Sequence, residues 1–287
     1  MSGICTEGVD TGFAALGYAK VAMLGVVQGI TELLPVSSTA HMRLVPALLG
    51  WQDPGSAFSA AMQLAALAAV VTYFWTDVRD IAAGSVGAVL QRDWRSPLLR
   101  LAVGIIIATI PIVIAGVLLG PLLNSCGTPL RSLPVIGIAC LVMGVLLALA
   151  ELFAKHTRGV EDMGVVDAFL VGLAQVGALI PGVSRSGSTL TGALFLGLQR
   201  DQAARFSFLI GIPAIALAGA REIFVLLHAH IPADAWAVLA VGLIVGALSS
   251  FAALWSLMRF LERFSTWPFV IYRIALGIAL LAVGFLA

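Results

Sequence analysis

The sequence predicts an all-α polytopic membrane protein, with six transmembrane helices and two broken re-entrant helical hairpins arranged as an internal repeat of inverted topology. Three observations lead there. The first is the scarcity of charge: 31 of the 287 residues are charged, 16 basic and 15 acidic, where a soluble domain of this length would carry roughly 70. With 60% hydrophobic residues and a mean hydropathy of +1.05, too few polar side chains remain to cover a water-facing globule. The second is the run of uncharged stretches at 54–76, 101–130, 132–150, 235–258 and 274–287. Several match or exceed the ~20 residues an α-helix needs to cross a hydrocarbon core, and none has the short alternation of a membrane barrel. The third is that two further apolar segments, 14–50 and 166–199, are each interrupted near the middle by Pro, Ser and Gly. High hydrophobicity argues against disorder, and a net charge of +1 gives no electrostatic case for nucleic acid.

In chain order, the N-terminus has Cys5, Glu7 and Asp10 but no Lys or Arg before Lys20. That is a poor n-region for a cleaved signal, so the first apolar segment is expected to stay. Segment 14–50 breaks at Pro35-Val36-Ser37-Ser38, and plain spans follow at about 57–76, 98–119 and 133–153. Segment 166–199 breaks at Pro181-Gly182-Val183-Ser184-Arg185-Ser186-Gly187-Ser188, and plain spans at about 205–224, 235–258 and 268–286 complete a single membrane domain over 1–287. Broken helices are tolerated at membrane depth only where the exposed backbone lines a cavity or is buried in protein, which makes the two interruptions the first place to look for a site. Trp51, Trp75, Trp94, Trp236 and Trp267 fall near span ends and read as interfacial anchors. Cys5, Cys126 and Cys140 have no CxxC spacing and read as small apolar fillers.

The two broken segments match each other at a constant offset of 147, with Gly25 and Gln28 on Gly172 and Gln175, and Val36-Ser37 on Val183-Ser184. Downstream, Phe58-Ser59 corresponds to Phe206-Ser207, and 101–104 to 239–242. The chain therefore divides into repeat 1, about 14–153, and repeat 2, about 166–286. Three spans per half is an odd number, so the halves point in opposite directions, with the site near the midplane where the broken elements meet. If the 77–97 loop is cytoplasmic, that side also gathers Arg79, Arg92, Arg95, Arg100, Lys155, Arg158, Arg200, Arg205, Arg259 and Arg263, against Arg131 and Arg221 opposite. This bias requires both broken segments to enter and leave on one face.

The chemistry at the breaks is readable from residue type and spacing. Gln28 and Glu32 are four apart and share a helix face. Beyond Pro35 the chain restarts at Ser37-Ser38-Thr39-Ala40-His41, where Ser is a good N-cap and the new helix aims its free N–H groups back at the break. The second break repeats the device with Ser184-Arg185-Ser186-Gly187-Ser188-Thr189 and adds a guanidinium. Two helix N-termini, an Arg and a row of hydroxyls describe a phosphate site, with Glu32 and His41 as candidate base, metal ligand and acid. A single Pro-Ser break is commonly only a kink. Two matching breaks that carry ionisable residues costing ~3 kcal/mol or more to bury argue for function. Arg273, buried in the last span, is open to a structural role on helix-end carbonyls as much as to a place in the site.

These residues carry a resemblance. The run from Gln28-Gly29-Ile30-Thr31-Glu32 through Pro35-Val36-Ser37-Ser38-Thr39-Ala40-His41 resembles the first signature of the BacA family of bacterial undecaprenyl-diphosphate phosphatases. The run from Pro181 to Thr189 is similar to that family's second motif, and the likeness covers essentially the whole chain. It implies a multi-pass protein of the bacterial plasma membrane, with a cleft open to the outer side, that removes the terminal phosphate from C55 polyprenyl diphosphate. The monophosphate product is the carrier reused for envelope polymers, and loss of the diphosphate removes the target of bacitracin. Gln28 stands where many members have Glu, so a carboxylate pair for a divalent ion is absent.

On this resemblance, Arg185 and the N–H groups at 184–188 hold the phosphates. Glu32, alone or through Mg²⁺ or Ca²⁺, orients the diphosphate or activates the nucleophile. Either Ser38 or water attacks, with His41 moving the proton. Gln28, Ser37, Thr39, Ser184, Ser186, Gly187, Ser188 and Thr189 are supporting contacts, and Gln28 is the other candidate cation ligand. The partners implied are the lipid substrate and the bilayer, and the sequence leaves room for a homo-oligomer. The rival is a polyprenyl-phosphate flippase built on the same inverted repeat, which has no need of the Glu32 and His41 pair.

Overall fold

The computed structural model describes residues 5–6, 9–123, 128–228 and 231–286. Apart from a two-residue antiparallel strand pair, β1 (Cys5–Thr6) and β2 (Val9–Asp10), its regular structure is helical. The helices are α1 (Gly17–Leu33), α2 (Ser38–Leu49), α3 (Ser56–Ala61), α4 (Gln63–Tyr73), α5 (Trp75–Leu90), α6 (Pro97–Leu123), α7 (Leu133–Phe153), α8 (Val165–Val176), α9 (Arg185–Phe195), α10 (Arg200–His228), α11 (Ala233–Leu261) and α12 (Trp267–Leu286). Six stretches are long and apolar enough to cross a bilayer: Ser56–Tyr73, Pro97–Gly120, Leu133–Phe153, Arg200–His228, Ala233–Leu261 and Trp267–Gly284. They correspond to the six plain spans read from the sequence, and the protein is an all-α polytopic membrane protein. Val117, Leu118, Phe153, Val166 and Leu248 each stand at least 70% exposed on its outside, a surface suited to lipid rather than water.

The two broken segments form helical hairpins whose arms, of 17 and 12 residues in α1 and α2 and of 12 and 11 in α8 and α9, are all shorter than a full span. In the first, the Lys20 ammonium lies 5.5 Å from the Trp51 ring, bringing the start of α1 to the end of α2. In the second, Gly192 of α9 comes so near α8 that an added Cβ would lie 2.9 Å from that of Ala174. Each hairpin packs on a span from the other half of the chain. Gly25 and Gly29 set α1 against Gly242 and Gly246 of α11, while Gly172 sets α8 against Ala108 of α6. Helices α7 and α12 meet through Gly137 and Gly277. Without a hydrophobic drive in lipid, such close backbone approach is how helices gain packing.

One expectation is corrected. The sequence predicts a loop over 77–97, but α5 occupies most of it. Asp77 in its first turn favours the helix N-terminus, and the Ala-rich run that follows has helix propensity although it is too polar to span. The span predicted at 57–76 is found as Ser56–Tyr73, with Met62 between α3 and α4 and Phe74 ending α4 at φ −95°, ψ 24°. Glu7 and Cys126 lie outside the described residues. Cys140 is buried and donates its thiol to the Gly182 carbonyl at 3.5 Å.

Three Arg of the basic rim are tied down by acids that charge counting alone does not pair. Arg205 pairs with Asp77, Arg158 with Asp167 at 2.6 Å, and Arg200 with Glu151. Glu151 also accepts from Thr266 Oγ1 at 2.8 Å, joining the end of α7 to the starts of α10 and α12.

Candidate active site

Both restarting helices are capped in the same way. Ser37 precedes α2 at φ 72° and its Oγ accepts from the amide of Ala40. Ser184 precedes α9 at φ 70° and its Oγ accepts from the amide of Gly187 at 3.2 Å. A positive φ is strained for Ser, by about 1–3 kcal/mol each, and persists only where the surroundings dictate it. Arg273, 1% exposed on α12, supplies that constraint. Its Nη1 donates to the Pro35 carbonyl at 3.1 Å, and its Nη2 donates to the carbonyls of Gly182 and Val183, both at 3.0 Å. One guanidinium thus satisfies the broken backbone of both hairpins, which resolves the two roles open to Arg273 in favour of the carbonyls. Gly182 sits at φ 98° with its Cα so near α7 that an added Cβ would lie 2.6 Å from the Ile136 carbonyl. Ser186 Oγ completes the join, bonding the carbonyls of Glu32 and Leu34 at 3.2 and 3.1 Å, where the end of α1 leaves acceptors free.

Against this frame lie the ionisable groups. Glu32, 6% exposed at the end of α1, accepts on Oε2 from Gln28 Nε2 at 2.9 Å and from Ser38 Oγ at 2.6 Å. Its Oε1 is 3.8 Å from Arg185 Nη2. The Arg185 side chain is only 9% exposed, yet neither Nη1 nor Nη2 has a hydrogen-bond partner. Gln28 Oε1 is likewise buried and unpartnered. The guanidinium lies across Gly211 of α10, where an added Cβ would collide with Nη1. Buried polar groups are nearly always paired. A buried guanidinium with unused donors beside a carboxylate-bound hydroxyl is therefore arranged to receive an anion and to deprotonate a hydroxyl next to it.

The remaining candidates are placed around this centre. His41 is buried, with Nδ1 2.8 Å from the Ser37 carbonyl and Nε2 2.6 Å from the Tyr272 hydroxyl. A carbonyl only accepts, so Nδ1 carries the proton, and a neutral ring accepts from Tyr272 at Nε2. Ser184 and Ser186 hydroxyls are 3.2 Å apart. Ser188 Oγ and Thr189 Oγ1 donate to the Arg185 carbonyl at 3.1 and 2.8 Å and brace the first turn of α9. The Cα of Gly187 faces Arg273, where an added Cβ would lie 2.8 Å from Nη1. Thr39 lies half-buried in the first turn of α2.

A family model described as Bacitracin resistance protein BacA matches residues 21–279. The chain belongs to the BacA family. It is 65% identical to Undecaprenyl-diphosphatase 2 of Mesorhizobium japonicum, over 91% of this chain and all of that one. It is 50% identical to the Undecaprenyl-diphosphatase of Gloeobacter violaceus, over 94% of each chain. With the Undecaprenyl-diphosphatase of Trichormus variabilis it shares 48% identity, over 95% of this chain and 86% of that one.

In this BacA chain no three His, Cys, Asp or Glu side chains come together as a metal cage among the described residues. The residues present fit a divalent cation only in the form that phosphate enzymes use, one carboxylate plus oxygens of the bound phosphates. Glu32 and the unpartnered Gln28 Oε1 are the protein oxygens that could serve it. Two residues that the motifs do not include lie against these candidates, Tyr272 on His41 and Gly211 under the Arg185 guanidinium. Tyr272 had a signal in its position next to the buried Arg273. Gly211 had none, because its part is to leave space.

Proposed function

We propose that the chain is an undecaprenyl-diphosphate phosphatase of the bacterial plasma membrane, converting C55 polyprenyl diphosphate to the monophosphate and inorganic phosphate. The observation that carries this reading is the buried Arg185 guanidinium with unused donors, 3.8 Å from a carboxylate that holds the Ser38 hydroxyl. The names of the relatives point to the same substrate. Arg185 and the first-turn amides of α2 and α9 bind the diphosphate and stabilise charge on the transferred group. Glu32 takes the proton of Ser38 as its Oγ bonds to the terminal phosphorus. The bond from that phosphorus to the bridging oxygen breaks, and the polyprenyl monophosphate leaves. Water then cleaves the phosphoserine, releasing inorganic phosphate and restoring the hydroxyl. His41, turned to Ser37 and Tyr272, holds the start of α2, so proton transfer at Ser38 falls to Glu32.

Mg²⁺ or Ca²⁺ held by Glu32 and Gln28 together with the diphosphate would supply neutralisation of phosphate charge. The matched caps and the exchanged hairpin packing support two halves of opposite orientation with both hairpins re-entrant, and the excess of basic residues on the side of 77–97 supports a cleft toward the opposite, outer face. The reading is tested by incubating purified protein in detergent with C55 diphosphate, with and without EDTA. Release of inorganic phosphate is expected, reduced by the chelator. A flippase would release none.

A further inference from the structure

We infer that Ser207, in the N-terminal third of α10, is a further ligand of the phosphoryl group that Arg185 receives. The inference rests on the proposed diphosphatase reading and adds a residue to it. Ser207 is 1% exposed and its Oγ has no hydrogen-bond partner. A hydroxyl inside a helix ordinarily turns back on the carbonyl four residues earlier. Thr31, Thr109, Thr191 and Ser256 all do so here, at 2.7–2.8 Å. So does Ser59, which the internal match places opposite Ser207, with the Gly55 carbonyl at 3.2 Å. Ser207 forgoes that bond.

The direction of Ser207 follows from helix geometry. Gly211 is the residue across which the Arg185 guanidinium lies. Four residues earlier on the same helix face, Ser207 is just over one turn, about 6 Å, along α10 from that seat. Among the described residues, the buried side-chain atoms without partners are Arg185 Nη1 and Nη2, Ser207 Oγ, Gln28 Oε1 and Gln175 Oε1. Four of these five belong to side chains at Arg185 or Glu32 or on the α10 face that carries Arg185. Leaving a buried hydroxyl unpaired is costly, and a ligand that brings its own acceptors removes the cost. A phosphoryl group has three such oxygens. The guanidinium fork takes two from one side, and the Ser207 hydroxyl donates to a third from α10.

The test compares the purified native full chain with two variants, S207A and S207T. For S207A, kcat/KM for phosphate release from C55 diphosphate is expected to fall about tenfold, while the melting temperature stays equal or rises because an unpaired hydroxyl has been removed. Inorganic pyrophosphate should raise the melting temperature of the native protein and raise that of S207A by less. S207T, which keeps a hydroxyl, should recover most of the activity. Native kcat/KM and a native pyrophosphate shift in S207A would overturn the inference while leaving the proposed function standing. Lost activity together with a lowered melting temperature would also overturn it, as a packing role. A native protein that releases no phosphate overturns the function itself.

Discussion

Arg185→Ala is expected to lower phosphate release from C55 diphosphate by about a thousandfold or more, the scale on which an arginine stabilises a phosphoryl transition state. The same variant should fold and purify at least as well as the native protein. The second half of this expectation is what makes it specific. Arg185 donates no hydrogen bond from either terminal nitrogen in the free protein, and its one charge partner, Glu32, is 3.8 Å away. Its burial is therefore a cost that Glu32 offsets only in part and that a bound anion would complete. An arginine that served the fold would show the reverse, lost stability with activity falling in proportion. Gly211→Ala gives the same reading by displacement, because the new methyl group takes the space of Nη1 while α10 itself gains helix propensity. Thermal unfolding in detergent alongside a phosphate assay separates the two outcomes.

Arg273→Ala is expected to act in the opposite sense, through the fold. Its guanidinium holds the carbonyls of Pro35, Gly182 and Val183, of which Gly182 alone has a second donor, the weak Cys140 thiol at 3.5 Å. Each buried carbonyl left bare costs about 1–3 kcal/mol, so two bared carbonyls and a third left to a thiol are a large part of the stability of a typical domain, about 5–15 kcal/mol. The variant should be recovered in poor yield with a sharply lowered melting temperature, and what survives should be inactive because both N-caps lose the constraint on their positive φ. Arg273→Lys keeps the charge but not the planar fork, so it should recover only part of the stability. Native stability in Arg273→Ala would show that the breaks are held by something else.

The two arginines differ in a way that the sequence does not show. Both are single charges in apolar surroundings, and motif spacing singles out Arg185 while leaving Arg273 between two roles. Which one is saturated with carbonyls and which is left open depends on side-chain direction, and that emerges only when α12 is packed against both breaks. The six spans are legible because lipid imposes a length and excludes charge. The helix at α5 is not, since outside the membrane the charge pattern stops being diagnostic. The offset of 147 that pairs Ser37 with Ser184 also pairs Ser38 with Arg185. After equivalent caps, one hairpin supplies a hydroxyl and the other a guanidinium. Spacing brings Glu32, Ser38, His41 and Arg185 forward as a group. Only the structure shows that Glu32 holds Ser38 at 2.6 Å while His41 faces Tyr272. Gly211 and Ser207 are read last because their signals are a space and an absent bond.

On the proposed mechanism Glu32 activates Ser38 to attack the phosphoryl group held by Arg185. Rapid quench of the purified protein during turnover of C55 diphosphate, followed by mass spectrometry of the peptide that contains Ser38, tests it directly. The account predicts a phosphoserine at Ser38 that forms before steady turnover, and that is absent from Ser38→Ala and strongly reduced in Glu32→Gln. Full-rate phosphate release by Ser38→Ala, with no phosphopeptide in the native protein, would contradict it.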